Sequence, residues 1–298
     1  MTLAGFWQQL INGISLGSLY ALVAIGYTMV YGILRLINFA HGDFLMVAAY
    51  LGIFGLSIFS LPWPLAFLLA VAITALLGAL LERGAYRPLR RAPRLSLLIA
   101  AIGASFLLEN LALLLIGGRP LPFPAPAFFT GSLQVGDLYI PRLSLIIPII
   151  TFILLAGLFL LIAHTRIGMA LRALAYDWEA TQLLGIPVNR LISLAFILGS
   201  GLAGVGGLRW ALKYPQVYPF LGVLPGLKAF VAAVLGGIGN LTGAVIGGLV
   251  LGILEVMLVA WFPAWSGYRD AFAFILLILV LLCRPTGLLG EVTMEEKL

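Results

Sequence analysis

Long runs of apolar residues, separated by short polar stretches, make up almost the whole chain. The run LISLAFILGSGLAGVGGL at 191–208, for example, has no charged residue over nearly the roughly 20 positions that a helix needs to cross the hydrocarbon core. A transmembrane β-barrel would instead alternate apolar and polar residues in segments of about ten. The pattern therefore predicts an all-α, polytopic bundle of membrane helices.

About eight to nine membrane segments are expected, some of them broken. Segment 226–237 is too short to cross alone and segment 44–60 borders a polar stretch, so hydropathy supports seven or eight crossings and permits nine. The glycine-rich GGIGNLTG at 236–243 predicts a helix break. The predicted segments are 11–34, 44–60, 62–82, 95–117, 143–163, 191–212, 226–237, 243–262 and 268–283.

Basic residues give the expected orientation. The loop 82–94 has five arginines and one acid, so the positive-inside rule places it in the cytoplasm. If 226–237 and 243–262 are two passes, 11 Lys and Arg fall inside and 6 outside, with an extracytoplasmic N-terminus and a cytoplasmic C-terminus. If 226–262 is one bent helix, one end of the chain changes side.

Composition agrees with a membrane protein. Hydrophobic residues are 62% and charged residues 9% of the 298, and the mean hydropathy is +1.14. A net charge of +6 could indicate nucleic acid, but most of the basic residues lie in predicted cytoplasmic segments, where they set topology. We therefore expect a lipid membrane around the chain and no nucleic acid. The single Cys283 excludes an intramolecular disulfide and a multi-cysteine metal site.

The segment 164–190 is predicted to bind a protein. Its MALRALAYDWEATQLLG core, 169–185, favours one short amphipathic helix, with Gly185 and Pro187 as the stop signal. A helix lying on lipid headgroups would carry Lys and Arg on its polar face, whereas this one has Asp177 and Glu179 at its tip. A cytoplasmic protein partner fits that mixture better.

Three sets of residues inside apolar runs are candidates for a solute pathway. Glu109, beside Asn110, and Glu255 are costly in a membrane, so each either lines a path or pairs with a base such as Lys228, Arg209 or Lys213. The glycines of the predicted break indicate close helix packing, alone or combined with a pathway wall. The third set lies in RLINFAHGDF at 35–44. The candidates are Asn38, His41, Asp43, Glu109, Asn110, Gly236, Gly237, Gly239, Asn240 and Glu255.

No motif for catalysis is present. The sequence has no HExxH or CxxC pattern. Its G-x-S-x-G match, GISLG at 13–17, and its G-x-G-x-x-G match, GSGLAG at 199–204, both lie inside predicted spans. A P-loop is also absent, so ATP-driven transport would need its hydrolysing subunit on another chain. We therefore expect neither an enzyme nor a cofactor in this chain.

Three motifs together carry a resemblance to a known family. GSLYALVAIGYTMVYGILRLINFAHGDF at 17–44, HTRIGMALRALAYDWEATQLLGIPVNRL at 164–191 and FVAAVLGGIGNLTGAVIGGLVLGILE at 230–255 resemble the LivH-type membrane permease subunit of bacterial branched-chain amino acid ABC importers. The likeness covers nearly the whole chain in the same order. It implies an ABC importer permease fold, with 1–298 as one transmembrane domain in the bacterial inner membrane.

The resemblance also implies partners and roles. The partners are a homologous second permease, two cytoplasmic ATPases that bind ATP and Mg, and an extracytoplasmic solute-binding protein. The 164–190 loop becomes the coupling helix that docks on an ATPase, and Asn38, His41 and Asp43 become a helix-capping turn at the inner mouth of the path. The coupling residues are Arg166, Ala175, Tyr176, Asp177, Glu179, Ala180, Thr181, Leu184 and Gly185.

Other functions stay open at this point. Permeases of the same family for urea, short amides or other amino acids would share the pattern. A stand-alone secondary transporter or channel would work without an ATPase. A membrane-embedded enzyme would need a clustered nucleophile or metal set, which the scattered polar residues do not supply.

Overall fold

The computed structural model describes residues 3–90, 92–136 and 138–290, and most of them lie in helices. The helices are α1 Leu3–Leu34, α2 Asp43–Ile53, α3 Trp63–Leu81, α4 Arg94–Ile116, α5 Arg142–His164, α6 Arg166–Tyr176, α7 Trp178–Leu183, α8 Val188–Lys213, α9 Val223–Gly236, α10 Leu241–Trp261 and α11 Arg269–Cys283. Short helical turns at Phe39–His41, Phe54–Ile58, Glu82–Tyr86, Arg87–Leu89 and Pro263–Tyr268 extend or join them.

Two small antiparallel ladders lie in the loops. Strand β1 (Leu121–Pro122) pairs with β4 (Gln216–Val217), with Leu121 opposite Val217. Strand β2 (Ser132–Val135) pairs with β3 (Leu138–Pro141). Their end of the bundle is called the strand end below. A cavity of about 560 Å³ at this end is lined by Gln9, Pro141, Tyr214 and Pro263, which brings the start of α1 and three loops together.

The opposite end collects the arginine-rich loops and is called the basic end. The Tyr86 hydroxyl donates to the Asn38 side chain, so the loop after α3 lies beside the end of α1. Backbone N–H groups of Leu288 and Leu289 donate to carbonyls at the end of α9. The loops 82–94, 164–190 and 237–240 and the segment 284–290 therefore share one end, as the predicted orientation requires.

Helix α1 is the centre of the bundle and packs on α10 with almost no side chain between them. A Cβ added to Gly252 of α10 would overlap the backbone nitrogen of Gly17 of α1, and one added to Gly248 would overlap Ala21. Small residues allow this approach in lipid, where the hydrophobic effect gives helices no reason to associate. The small-residue spacing seen in the sequence is thus used for helix contact.

Helices α9 and α10 form an antiparallel hairpin. A Cβ on Gly247 would overlap the carbonyl oxygen of Ala232, and one on Gly243 would overlap that of Gly236. The predicted break is confirmed at 237–240, where Gly237 (φ 107°) and Gly239 (φ 98°) have backbone angles that favour glycine. The segment 226–262 is therefore not one bent helix.

Two helices, α2 and α9, begin inside the bundle. His41 packs against Gly26 of α1, eight residues before the end of that helix, which is about 12 Å below the basic end at 1.5 Å per residue. From there α2 runs to the strand end, where Gly52 meets Phe123. Helix α9 starts at the same depth, since a Cβ on Gly226 would lie 2.7 Å from the Cα of Gly42, and runs the opposite way.

The number of membrane segments agrees with the prediction. Within the described residues, eight helical segments are long and apolar enough to cross a membrane, and α9 is a shorter ninth apolar helix. The chain is thus a multi-pass membrane protein. The start of the first helix differs from the sequence prediction. Helix α1 begins at Leu3 rather than at 11, so it has two more turns at the strand end. The outer faces of α4, α5 and α11 expose large apolar side chains, as in Leu114, Ile153 and Leu282.

Candidate functional site

The predicted single helix over 169–185 is wrong, because the chain breaks at Asp177. Helix α6 ends at Tyr176, Asp177 is extended (φ −147°, ψ 113°), and α7 begins at Trp178. The Asp177 carboxylate accepts the Ala180 N–H at 2.9 Å and so caps α7. An aspartate inside a helical pattern competes for backbone N–H groups in this way, which is why helix propensity alone misplaced it.

Apolar side chains project from this helix pair into open space. Leu171 and Leu174 are buried against the bundle, whereas Tyr176, Leu183 and Leu184 are 95%, 88% and 76% exposed. We call these last three residues the coupling surface. Contiguous exposed apolar residues at the tip of a loop indicate an interaction site.

The other residues predicted for coupling lie along the same helix pair and its end. Gly185 has a φ of 77° and ends the helix pair, as the stop signal predicted, and Pro187 follows as the N-cap of α8. Thr181 is buried, and its hydroxyl donates to the Asp177 carbonyl at 2.6 Å. Ala175 is half-buried. The exposed members of the set are Arg166, Tyr176, Asp177, Glu179, Ala180, Leu184 and Gly185.

An ionic network that sequence reasoning missed supports the helix pair from the bundle. Glu82, at 0% exposure, accepts from the Arg90 guanidinium and from the Ser193 hydroxyl, and the Arg87 Nε lies 3.5 Å away. Burial lowers the pKa of Arg90, while attraction to the Glu82 carboxylate opposes that shift. A lone acid between an apolar run and an arginine cluster was the available signal.

Arg90 connects that network to α7 and α8. Its guanidinium donates to the Asn189 side chain at 2.7 Å and lies 5.8 Å from the centre of the Trp178 ring, within cation–π range. Beside it, an open groove of about 900 Å³ is lined from the 87–90 turn and from 178–190. Arg90 is therefore in contact with α7, with α8 and with Glu82 at the end of α3.

The polar stretch 35–44 does not cap helices, so that prediction is wrong for Asn38 and Asp43. The N-cap of α2 is Gly42, and neither side chain makes a capping hydrogen bond. The Asn38 Oδ1 accepts from the Tyr86 hydroxyl at 2.6 Å instead, and the Asp43 Oδ2 accepts from the Ser105 hydroxyl at 2.5 Å. Both acceptors are used by neighbouring helices and not by the local backbone.

His41 fixes the depth of this stretch. Its Nε2 donates to the Val23 carbonyl oxygen at 3.2 Å, and its ring centre lies 4.5 Å from that of Tyr27. Both partners are on α1, well below the basic end. His41 and the start of α2 therefore lie in the interior of the bundle, deeper than the mouth at which they were expected, whereas Asn38 lies beside the basic-end residue Tyr86.

The first turns of α2 and α9, together with α4, border a half-open cavity with acidic side chains. The cavity has a volume of about 240 Å³, and its lining includes Asp43, Ser105 and Glu109 together with Gly222 and Gly226. Ser105 and Glu109 are four residues apart and share one face of α4. Asn110 is on another face, exposed, where its amide donates to the Phe106 carbonyl.

Glu255 lies in a separate ion cluster. Its carboxylate accepts from the Tyr20 hydroxyl at 3.0 Å and from Lys228 at 2.8 Å. The Arg269 Nε lies 3.0 Å from the same carboxylate as an ion pair, and Lys228 also pairs with Asp270 at 2.5 Å. Of the three bases predicted as partners, Lys228 is confirmed. Arg209 instead donates to Thr151 at 2.6 Å, and Lys213 lies 3.5 Å from Ser15.

The cluster ties α1, α9, α10 and α11 together. The remaining candidates, Gly236 to Asn240, form the α9–α10 turn, where Asn240 accepts the Gly243 N–H at 2.9 Å and donates to the Leu289 carbonyl. No group of three or more His, Cys, Asp or Glu side chains that could hold a metal ion occurs within residues 3–90, 92–136 and 138–290.

A helical bundle with two helices that begin at membrane depth, and with an exposed helix pair at one end, is typical of membrane transport proteins. The chain belongs to the family described as the branched-chain amino acid transport system / permease component, whose model matches residues 9–281. The family resemblance found in the sequence is thereby confirmed, as is the helical permease fold.

Individual relatives match over nearly their full length. The chain is 43% identical to the high-affinity branched-chain amino acid transport system permease protein BraD of Pseudomonas aeruginosa, over 98% of both chains. It is 42% identical to LivH, the permease protein of the same description in Escherichia coli (strain K12), over 98% of this chain and 97% of LivH. Among solved structures, PsaBC from Streptococcus pneumoniae in complex with Fab shares the fold, with 16% identity, a TM-score of 0.50 and coverage of 98% and 95%.

Proposed function

We propose that this chain is the membrane permease through which a bacterial importer moves branched-chain amino acids across the inner membrane. The observation that carries the proposal is the 43% identity to BraD, a branched-chain amino acid permease protein, over 98% of both chains. The catalytic residues of ATP hydrolysis belong to other subunits, since this sequence has no P-loop.

The partners proposed are two cytoplasmic ATPases, which bind ATP and Mg, a homologous second permease and an extracytoplasmic solute-binding protein. The coupling surface supports the ATPase contact, because three large apolar side chains there are exposed at the basic end. The arginines of the basic end favour the cytoplasm. The N-terminus is then extracytoplasmic and the C-terminus cytoplasmic.

The mechanism proposed is alternating access. Closure of the ATPase dimer pushes on α6 and α7, and the Glu82–Arg90 network passes that push to α3 and α8. Helices α2 and α9 meet backbone to backbone at Gly42, with no side chain between them, so a shift of either helix opens or closes the interior from one end. The cavity beside that contact lies on the solute path.

Reconstitution tests the proposal. Vesicles that contain the permeases, the ATPases and the solute-binding protein are expected to accumulate leucine only when ATP is present on the side of the membrane that carries the ATPases. Vesicles that contain this chain alone are expected to accumulate none. Accumulation by the chain alone would identify a stand-alone transporter. Uptake of urea or a short amide by the full set, without uptake of leucine, would show that the substrate is wrong.

Replacing Glu82 with Gln is expected to uncouple ATP hydrolysis from uptake. The change removes the carboxylate charge that faces Arg90, whose buried guanidinium then has no counter-ion in the network. Breaking one side of a buried pair costs about 3–5 kcal/mol. The measurement is leucine transported per ATP hydrolysed, together with the thermal stability of the complex.

A double variant is the matched control. Glu82→Gln with Arg90→Gln removes both charges, so it is expected to be more stable than Glu82→Gln alone. If the single and double variants are equally stable and both keep normal coupling, the network has no role in transmission.

A further inference from the structure

The strongest unassigned feature is the carboxylate of Glu109, which faces the pocket between α2, α4 and α9. Its residue is only 6% exposed, it lines the 240 Å³ cavity, and within the described residues it has no hydrogen bond or ion pair. An ionisable side chain at membrane depth without a partner is expensive and marks a functional site. In contrast, the buried acids Glu255 and Glu82 are paired with bases.

A second carboxylate faces the same cavity. Asp43 is 2% exposed, and its one hydrogen bond is from Ser105, a neutral donor on α4. No basic side chain lines the cavity, whose other walls come from Tyr27, Phe39, apolar residues of α4 and α9, and glycines. Two carboxylates and no cation leave a site that a small positive group would complete.

The space fits a small solute. The volume of about 240 Å³ is many times the roughly 10–15 Å³ that one water molecule needs on the same measure, so the pocket has room for a solute larger than water. Gly42, Gly222 and Gly226 form one wall, so peptide backbone and not side chain borders the space. The site also lies where α2 and α9 meet, which is the point that must open for passage.

We propose that Glu109, assisted by Asp43, binds the protonated amino group of the transported solute. The solute class is therefore small molecules with an ammonium group, which separates amino acids from urea and neutral amides. This inference rests on the proposed transport function and specifies the residue that selects its substrate. No covalent bond forms or breaks in this step: the Glu109 carboxylate accepts hydrogen bonds from the ammonium group as the solute passes.

Uptake by the full reconstituted complex is the first test. Glu109→Gln keeps the shape of the side chain and removes its charge, and it is expected to lower leucine uptake at least tenfold, or about 1.4 kcal/mol. Leu114→Ala, at an 80% exposed position on the outer face of the same helix, is the control and should transport like the parent. Normal uptake by an assembled Glu109→Gln complex would overturn the inference, whereas absence of leucine uptake by the parent complex would overturn the proposed function instead.

A labelling measurement keeps the test decisive if Glu109→Gln does not assemble. Cys283→Ser removes the only cysteine, and Ile102→Cys places a thiol in the cavity wall. The complex is purified in detergent with Glu109 intact. Its thiol should react faster with the positively charged ethylammonium methanethiosulfonate than with the negatively charged ethylsulfonate methanethiosulfonate. Leucine should slow the reaction, and 4-methylpentanoate, which lacks the amino group, should not. Equal protection by the two solutes, or none, would overturn the inference.

Discussion

Loss of ATPase binding is the expected result when Tyr176 and Leu184 are both replaced by alanine. The two side chains are 95% and 76% exposed in this chain, so the bundle loses little packing without them. Burying each in a partner contributes about 1.5–3 kcal/mol, so the pair accounts for about 3–6 kcal/mol of docking. The complex should then bind its ATPases at least a hundredfold more weakly, a change of about 2.8 kcal/mol, and leucine uptake should fall to background.

Copurification of the ATPase with tagged permease measures that docking directly. The matched control is Leu133→Ala with Tyr139→Ala, which removes the same two residue types from exposed positions at the strand end. The control should retain the ATPase in full. Normal copurification by the Tyr176 and Leu184 variant would show that the coupling surface lies elsewhere.

A second large effect is expected on stability when Gly252 becomes valine. An added Cβ would overlap the Gly17 backbone nitrogen, and neither backbone can move aside as a flexible side chain would. Helices α1 and α10 must separate, which opens the most extensive contact of the bundle. We expect a loss of at least about 3 kcal/mol, at the upper end of overpacking costs, and little folded protein in the membrane.

Gly157→Val is the matched control for that substitution. Gly157 is also inside a membrane helix, α5, but no atom lies within 4 Å of the Cβ that would be added. It should change the melting midpoint of the purified protein by a few degrees at most. Similar yields and midpoints for the two variants would contradict the close α1–α10 contact.

Periodicity and composition predicted the large elements well, because membrane helices must be long and apolar to satisfy their own backbone. The eight to nine segments and the break at 237–240 were predicted from the sequence. Lys228, which pairs with Glu255, was one of three bases that the sequence offered as partners. The hydrogen-bond partners that individual polar side chains choose were not predicted. Asp177 divides a helix that propensity favours, and Asn38 and Asp43 bind neighbouring helices although both are good capping residues.

The candidate site was harder to predict than the fold. Hydropathy locates Glu109 and Glu255 equally well. Glu109, however, lines the cavity without a partner, whereas Glu255 lies among bases, and this difference depends on how each helix is rotated about its axis. Glu82 was overlooked because it is at the end of an apolar run. The roles of the coupling and pathway residues stay predictions until the variants above are measured.

The opposed helices α2 and α9 have a consequence for energetics. Their first turns bring two partial positive charges, about +0.5 each, to the centre of the bundle, close to Asp43 and Glu109. A dipolar solute meets positive helix ends and negative carboxylates there, and it carries no net charge across the membrane. Membrane voltage, worth about 2.3 kcal/mol per elementary charge at 100 mV, then neither drives nor opposes its entry. Accumulation of such a solute should be unchanged when the potential is collapsed, as long as ATP is kept constant.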